Sequence, residues 1–207
     1  IQKIKTDPTI QYELSIRSVP ENIFQPARIT KLYLTNTNAI YVKIPHCNAL
    51  GLQTPKPKNI DIPLFLLFRA LGNISDKSII LSIIDNNNSE LSNEIMDILR
   101  NSINELYERK PCFTQHDALN ELSKYINVWN KNVIPPDNIK LVMLQDILRN
   151  YLIPHVGKSF KEKSIFLSYM VKELLLVKLN VKTETDKDNF MNKRVDTSGY
   201  LMGTIFR

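Results

Sequence analysis

Apolar and polar positions alternate over residues 10–18, Ile-Gln-Tyr-Glu-Leu-Ser-Ile-Arg-Ser, and again over 27–34 and 39–45. A two-residue period predicts β-strands with one buried face. Thr35-Asn36-Thr37-Asn38, rich in turn formers, separates the second and third runs, so the N-terminal part is expected to form an antiparallel β unit. Residues 46–59, with Pro55 and Pro57, are expected to be a loop. The period then changes. Ile62–Gly72 is almost wholly apolar and predicts a short buried helix, with Pro63 in its first turn and Gly72 as its C-terminal cap. Phe65, Leu66 and Phe68 are expected in the core, and Arg69 in a buried or semi-buried ion pair.

Ser75-Asp76-Lys77 is expected to cap a second helix running to Ile84, followed by a polar turn at Asp85–Asn88. Over residues 89–108, Leu91, Ile95, Ile98, Leu99, Ile103 and Leu106 fall on one helical face, and Pro111 stops the run. Thr114 is expected to start a helix with Asp117 in its first turn and Ala118, Leu119, Leu122, Tyr125 and Ile126 inside. Pro135-Pro136 breaks the chain, and residues 137–152 are amphipathic up to Pro154. Residues 159–179 predict the longest apolar helix, carrying Phe160, Ile165, Phe166, Tyr169, Met170, Leu174, Leu175 and Val177, interrupted by Lys161, Glu162, Lys163, Lys172 and Glu173. That many charges exclude a membrane span and predict a core helix. The expected class is α+β, mainly helical: β-rich over 8–45, helical over 61–179, and a polar motif over 186–194.

Composition adds three constraints. The net charge is +6, distributed unevenly. Residues 1–72 hold nine Lys/Arg against four Asp/Glu, residues 73–157 eight against eleven, and residues 158–194 nine against five. A nucleic-acid face would therefore combine the two ends of the chain, with the acidic middle helices turned away. Cys47 and Cys112 have no CxxC or His spacing around them, which argues against a disulfide framework or zinc site and fits a reducing compartment. The chain opens at Ile1 without Met, signal or transit region and ends at Phe206-Arg207 in an apolar run, so a fragment of a longer polypeptide is expected.

The motifs of common catalysts are missing. With five Gly there is no Walker A pattern and no GxGxxG, and neither GxSxG nor HExxH occurs. His46, His116 and His155 are isolated. His46 beside Cys47 lacks further ligands, and His155 after Pro154 reads as a helix-terminal hydrogen-bonding residue. Asp186 and Asp188 sit beside Lys187 and Lys193, whose positive charge opposes a metal cation. Trp129 reads as a packing residue. No catalytic and no metal-ligating residue is assigned.

What remains is the run Asp186–Gly199, which sets acids, amides, an aromatic ring and a Lys-Arg pair on a polar segment after an apolar helix. On composition alone it describes a solvated loop with local ion pairs. Its chemistry equally suits a ligand: basic groups hold phosphates, while carboxylates and amides read hydrogen-bonding edges.

Five segments in order resemble the second-largest subunit of multi-subunit DNA-directed RNA polymerases. Tyr12–Ser18 is similar to that family's "AEIRS" strand, and Ile62–Gly72 followed by Ser75–Ile80 to its "IPxxxLFRALG…SDKEI" stretch. Leu152-Ile153-Pro154-His155 resembles "LPH", Phe166–Met170 running into Leu174–Leu176 resembles "FLGYM…LLL", and Asp186–Gly199 resembles "DRDHYGNKRVDTAG". The resemblance spans essentially the whole chain. It implies the lobe of that subunit over residues 1–194, with residues 195–207 beginning the return into the protrusion. It implies one wall of the cleft beside downstream DNA and the non-template strand. It also implies that the catalytic magnesium and structural zinc of the complex, and the catalytic residues, lie outside this segment. DNA, the largest subunit, other polymerase subunits and transcription factors are the implied partners, with no membrane.

By the same resemblance, Asp188 and Lys193 match residues that hold an unstacked non-template base, and Arg194 is the adjacent basic residue. Arg17 is expected to approach from the strand side. The alternative for Asp188 and Arg194 is mutual pairing that holds the loop shape. Asn189, Phe190, Met191 and Tyr200 depart from the usual His, Tyr, Gly and Pro; Met191 replaces a glycine that would permit positive φ. A protein-docking module built on residues 73–157 is the competing reading. The Asn-, Ile- and Lys-rich composition suggests an AT-rich genome and, with these departures, a large DNA virus, or else an AT-rich eukaryote or organelle plasmid. The implied location is the virion, host cytoplasm or viral factory if viral, and the nucleus if cellular.

Overall fold

A computed structural model describes residues 1–3, 9–20, 27–44, 62–84, 89–109, 111–124, 136–185, 189–193 and 195–206. Its sheet has five antiparallel strands in sequence order: β1 (Gln2–Lys3), β2 (Ile10–Ser18), β3 (Arg28–Thr35), β4 (Ile40–Lys43) and β5 (Ile62–Pro63). The three long strands lie where the alternation predicts them. Tyr12, Leu14 and Ser18 of β2 are buried, while Ser15 and Arg17 between them are exposed. The turn closes as its residue types suggest: Asn38 sits at φ 62°, and its amide donates to the Thr35 carbonyl at 3.0 Å.

The two-residue strands were not expected. Ile62 and Pro63 pair with Val42 and Tyr41, so Pro63 ends a strand and caps the next helix with φ −57° and ψ 136° rather than entering its first turn. A residue without an N–H fits both a strand end and a helix start.

Helices follow: α1 (Leu64–Ala70), α2 (Asp76–Ile83), α3 (Ser89–Arg109), α4 (Gln115–Ser123), α5 (Asp137–Asn150), α6 (Phe160–Lys178) and α7 (Ser198–Ile205). All seven residues of α1 are buried, Arg69 included. This short helix is the hub of a continuous core running from Tyr12 on β2 to Val177 on α6. Its end is a Schellman motif: Gly72, at φ 101°, donates to Arg69 O and Asn73 donates to Phe68 O, each at 3.0 Å. The Arg69 guanidinium meets Asp76 at 2.7 Å and Tyr107 Oη at 3.1 Å, and also donates to the Cys112 carbonyl. The expected buried ion pair is therefore present.

Ser75 does precede α2, but it makes no side-chain cap. Its carbonyl accepts from Ile79 N at 3.1 Å and Ser78 Oγ at 2.7 Å, and Asp76 is engaged by Arg69. Thr114 caps α4 as expected, accepting from Asp117 N at 3.1 Å. Tyr125, Ile126 and Trp129 lie outside the described residues.

Two features of α6 differ from expectation. At 19 residues it is shorter than α3, which has 21. Its apolar surface also exceeds its buried surface: Ile165 and Tyr169 are 61% and 55% exposed, while Lys163 is fully buried. The Lys163 ammonium donates to the carbonyls of Leu148 at 2.9 Å, Arg149 at 2.6 Å and Leu152 at 2.5 Å. The first two carbonyls belong to the last turn of α5, where helical partners run out, and the third lies just past its cap residue Tyr151, so the amine acts as a C-terminal cap inserted from another helix. Burial pushes this amine down to about 8, and the three carbonyls oppose that push by favouring its charged form. The segment beyond α5 is tightly held as well. Ile153, buried and β-branched, adopts φ 45°, a strained conformation for such a side chain.

Candidate nucleic-acid interface

Period-2 geometry sets Glu13, Ser15 and Arg17 of β2 on the face opposite the core. On the same face β3 presents Ile29, opposite Arg17, and Lys31, opposite Ser15. Lys31 engages Glu13 at 2.6 Å, which leaves Arg17 as the cation at that end of the face.

The C-terminal segment reaches this face by a defined route. α6 ends in a second Schellman turn, with Asn180 at φ 58° donating to Val177 O at 3.1 Å and Val181 donating to Leu176 O at 2.9 Å. The chain then runs beside β1: Thr185 N donates to Ile1 O at 3.0 Å and Lys3 N to Glu184 Oε2 at 3.3 Å. Residues Phe190–Asn192 form a 3-10 turn opened by Asn189, whose side chain accepts from Met191 N at 3.1 Å. The departures from the resembled motif are therefore compatible with an ordered turn. Asn189 supplies the cap, and Met191 sits outside the positive-φ region that would need glycine.

Beyond the turn, Asp196 Oδ1 approaches Arg17 Nη2 at 3.7 Å, with side chains 41% and 47% exposed. β2, Thr185, Asn192, Asp196 and Tyr200 of α7 line a cleft of about 810 Å³, whose walls also include Ile1, Ser15 and Arg17. A half-exposed pair at this distance is worth roughly 0–1 kcal/mol. Either partner can be redirected to a ligand at small cost. Arg17 supplies planar donors for a phosphate or carbonyl, and Asp196 and Asn192 supply acceptors and an amide for a base edge.

Of the residues singled out in the sequence, Arg17 lines this cleft. Lys193 is exposed next to Asn192, with its ammonium 5.9 Å from the Phe190 ring centroid. Asp188 and Arg194 lie outside the described residues, as do Asp186, His46 and Cys47. Asp196, Asn192 and Tyr200 were not singled out as site residues. Their signal was membership of, or nearness to, the run Asp186–Gly199, but only the fold selects which of that run faces β2.

His155 does bond at the helix end. Ser18 Oγ lies 2.7 Å from His155 Nδ1 and accepts from His155 N at 3.1 Å. Burial, and then the neighbouring Lys163 ammonium, hold His155 below its ordinary value. Among the described residues no three His, Cys, Asp or Glu converge as a metal group, and no helix is long and apolar enough to cross a membrane.

Residues 22–196 match the family described as RNA polymerase Rpb2, domain 2. The chain belongs to this family. Among curated relatives, it is 32% identical over 203 residues to DNA-directed RNA polymerase II subunit RPB2 of Encephalitozoon cuniculi, covering 96% of this chain and 16% of that one. It is 34% identical over 149 residues to DNA-directed RNA polymerase subunit Rpo2N of Methanococcus vannielii, covering 70% and 28% respectively. It is 29% identical over 150 residues to DNA-directed RNA polymerase II subunit 2 of Arabidopsis thaliana, covering 71% and 12%. The chain thus spans a small part of each relative's length. Within the Rpb2 domain 2 match, Asn192 and Asp196 are included, while Arg17 and Tyr200 flank it.

Proposed function

We propose that this domain forms the lobe wall of the DNA cleft in a transcribing polymerase, beside downstream DNA and the non-template strand. The observation that carries the reading is the convergence of Arg17 on β2 with Asn192 and Asp196 in one solvent-open cleft. A base lifted from its stack would meet a carboxylate and an amide at its edge and cations at its phosphate or carbonyl. On this reading Asp188 accepts from a base amino or imino group, Lys193 and Arg194 hold a carbonyl or phosphate, and Arg17 closes the cleft from the strand side. Residues 195–207 begin the return into the protrusion. Nucleotidyl transfer, with its magnesium, and the structural zinc of the complex belong to other segments. The largest subunit and the remaining subunits are the structural partners.

The test uses a polymerase assembled with the parent subunit. Asp188→Ala and Lys193→Ala are expected to change pausing or start-site sequence preference more than overall synthesis. Unchanged sequence preference together with lost stability would assign these residues to loop architecture instead.

A second reading is a docking surface for subunits or transcription factors on residues 73–157. Its support is Ile139 and Val142, 50% and 60% exposed and one turn apart on α5. Salt separates the two readings. Binding of single-stranded or bubble DNA that weakens steeply with salt supports the cleft.

A further inference from the structure

β2 ends against the turn that joins α5 to α6. Ser18, its last residue, is 1% exposed, and its hydroxyl oxygen meets His155 twice. It accepts from the His155 backbone N at 3.1 Å and lies 2.7 Å from Nδ1. A hydroxyl carries one proton to donate. Nδ1 is the acceptor the structure offers it, so the neutral imidazole holds its own proton on Nε2. A proton on Nδ1 would set a second donor against the oxygen and strand the buried hydroxyl proton without an acceptor. The contact therefore tolerates one protonation state of the ring.

His155 as a whole residue is exposed, yet the ring is partly covered: Phe166 meets it edge-on, with centroids 4.8 Å apart. Burial, and then the Lys163 ammonium on α6, oppose a charged imidazole. The remaining charges around the turn are Arg28, opposite Ser18 on β3 and stacked over Tyr151; Arg149 of α5, stacked over Phe160; Glu162, whose carboxylate turns toward Gly157; and the exposed Lys158. Arg17, next to Ser18 on β2, reaches the other way toward Asp196.

The turn itself is strained. Ile153 sits at φ 45° and Gly157 at φ 100°, with the 3-10 turn Pro154–Val156 between them. It is fastened on both sides: the Leu152 carbonyl accepts from Lys163 on the helical side, and His155 is held by Ser18 on the sheet side. A strained segment held by a titratable contact has a second arrangement to relax into when that contact is lost.

We propose that His155 and Ser18 form a pH-operated latch between the sheet and the α5–α6 turn, closed while Nδ1 is unprotonated and opened locally by acid. Arg17, which lines the cleft, directly precedes Ser18, so the latch sets how firmly that end of β2 is anchored. The inference does not depend on what the cleft binds, because it is read as local opening.

The His155 amide is the reporter, since its acceptor is the Ser18 oxygen. Its hydrogen exchange in the full chain is followed by NMR at pH 5, 6 and 7 and corrected for the intrinsic rate. The imidazole titrates near 6.5 in the open state and lower in the closed one, so the latch is whole above 6.5 and weakens as pH falls. The expected loss of protection by pH 5 is at most about thirty-fold, the limit set by the distance from 6.5. Ser18→Ala removes the acceptor and is expected to leave the amide unprotected at every pH. His155→Asn offers an oxygen near the Nδ1 position without a titrating proton, and is expected to abolish the pH dependence. The proposal is overturned if wild-type protection is flat across this range, or if the fall persists in either variant. It is also overturned if at pH 5 the amide exchanges only as fast as those of the buried helix α1, which would mean that the whole chain opens.

Discussion

Replacing Lys163 by Met tests the least expected feature of the fold, a fully buried lysine that caps a neighbouring helix. Met retains the length and apolar stem but removes the donors to three carbonyls. Charged hydrogen bonds contribute about 1.5–3 kcal/mol each, while relief of the buried charge returns several kcal/mol. The net destabilisation expected at pH 7 is about 1–3 kcal/mol. For a chain of this size that lowers Tm by roughly 2–12 °C and moves the urea midpoint without changing m.

Repeating the measurement against pH probes the amine itself. The amine titrates near 10.5 unfolded and near 8 folded, so between those values the unfolded chain retains a proton that the folded chain has released. Stability then rises with pH, and the wild-type advantage over Lys163→Met should be flat below about 8 and grow by ~1.4 kcal/mol per pH unit above it. The whole window adds about 3 kcal/mol, and taking the difference from the Met variant cancels the titration of other groups. A variant as stable as wild type at pH 7 would refute the capping role. An advantage that stays flat from pH 8 to about 10.5 and shrinks only above it would show that the carbonyls outweigh burial and raise the amine's pKa.

Gly72→Ala should cost more than 1 kcal/mol in denaturant melts, because φ 101° is hostile to a Cβ although space is available, with the nearest atom, Gln115 Nε2, at 3.6 Å. At Asn180, also left-handed, Asn180→Gly should be neutral or stabilising by up to about 1 kcal/mol and Asn180→Ala destabilising; equal effects of the two would refute the cap. Arg69→Met should lower stability by about 3–5 kcal/mol by stranding Asp76, and adding Asp76→Asn should recover part of the loss, as a double-mutant cycle would reveal. Because His155 is held below its ordinary value of 6.5, stability is complete above that pH and declines as pH falls toward the lowered folded value. Melts of His155→Gln between pH 5 and 7 should show a weaker decline.

Much of the fold was legible in the chain. A strand reveals itself because its neighbours alternate faces, and a helix because its apolar residues return every three to four positions; both signals are local. The strands at 10–18 and 28–35, the stripe of α3 and the Gly72 cap follow from residue types close in sequence. Two-residue strands carry no period, so β1 and β5 exist only because a longer strand beside them offers hydrogen bonds. Ile165 and Tyr169 share the apolar character of the α6 core positions yet face solvent, since hydrophobicity does not say which side of a helix meets a neighbour.

The same division holds for function. The order of motifs by itself determined the family, because side-chain patterns over five segments constrain identity whatever the loops do. It also placed the chemistry near Asp186–Gly199. Only the tertiary structure decided that Asp196 and Asn192 meet Arg17, and that Lys163 is a cap rather than one charge among its lysine neighbours. An ion pair between the two ends of a chain, or an amine reaching the last carbonyls of another helix, depends on distances that packing sets.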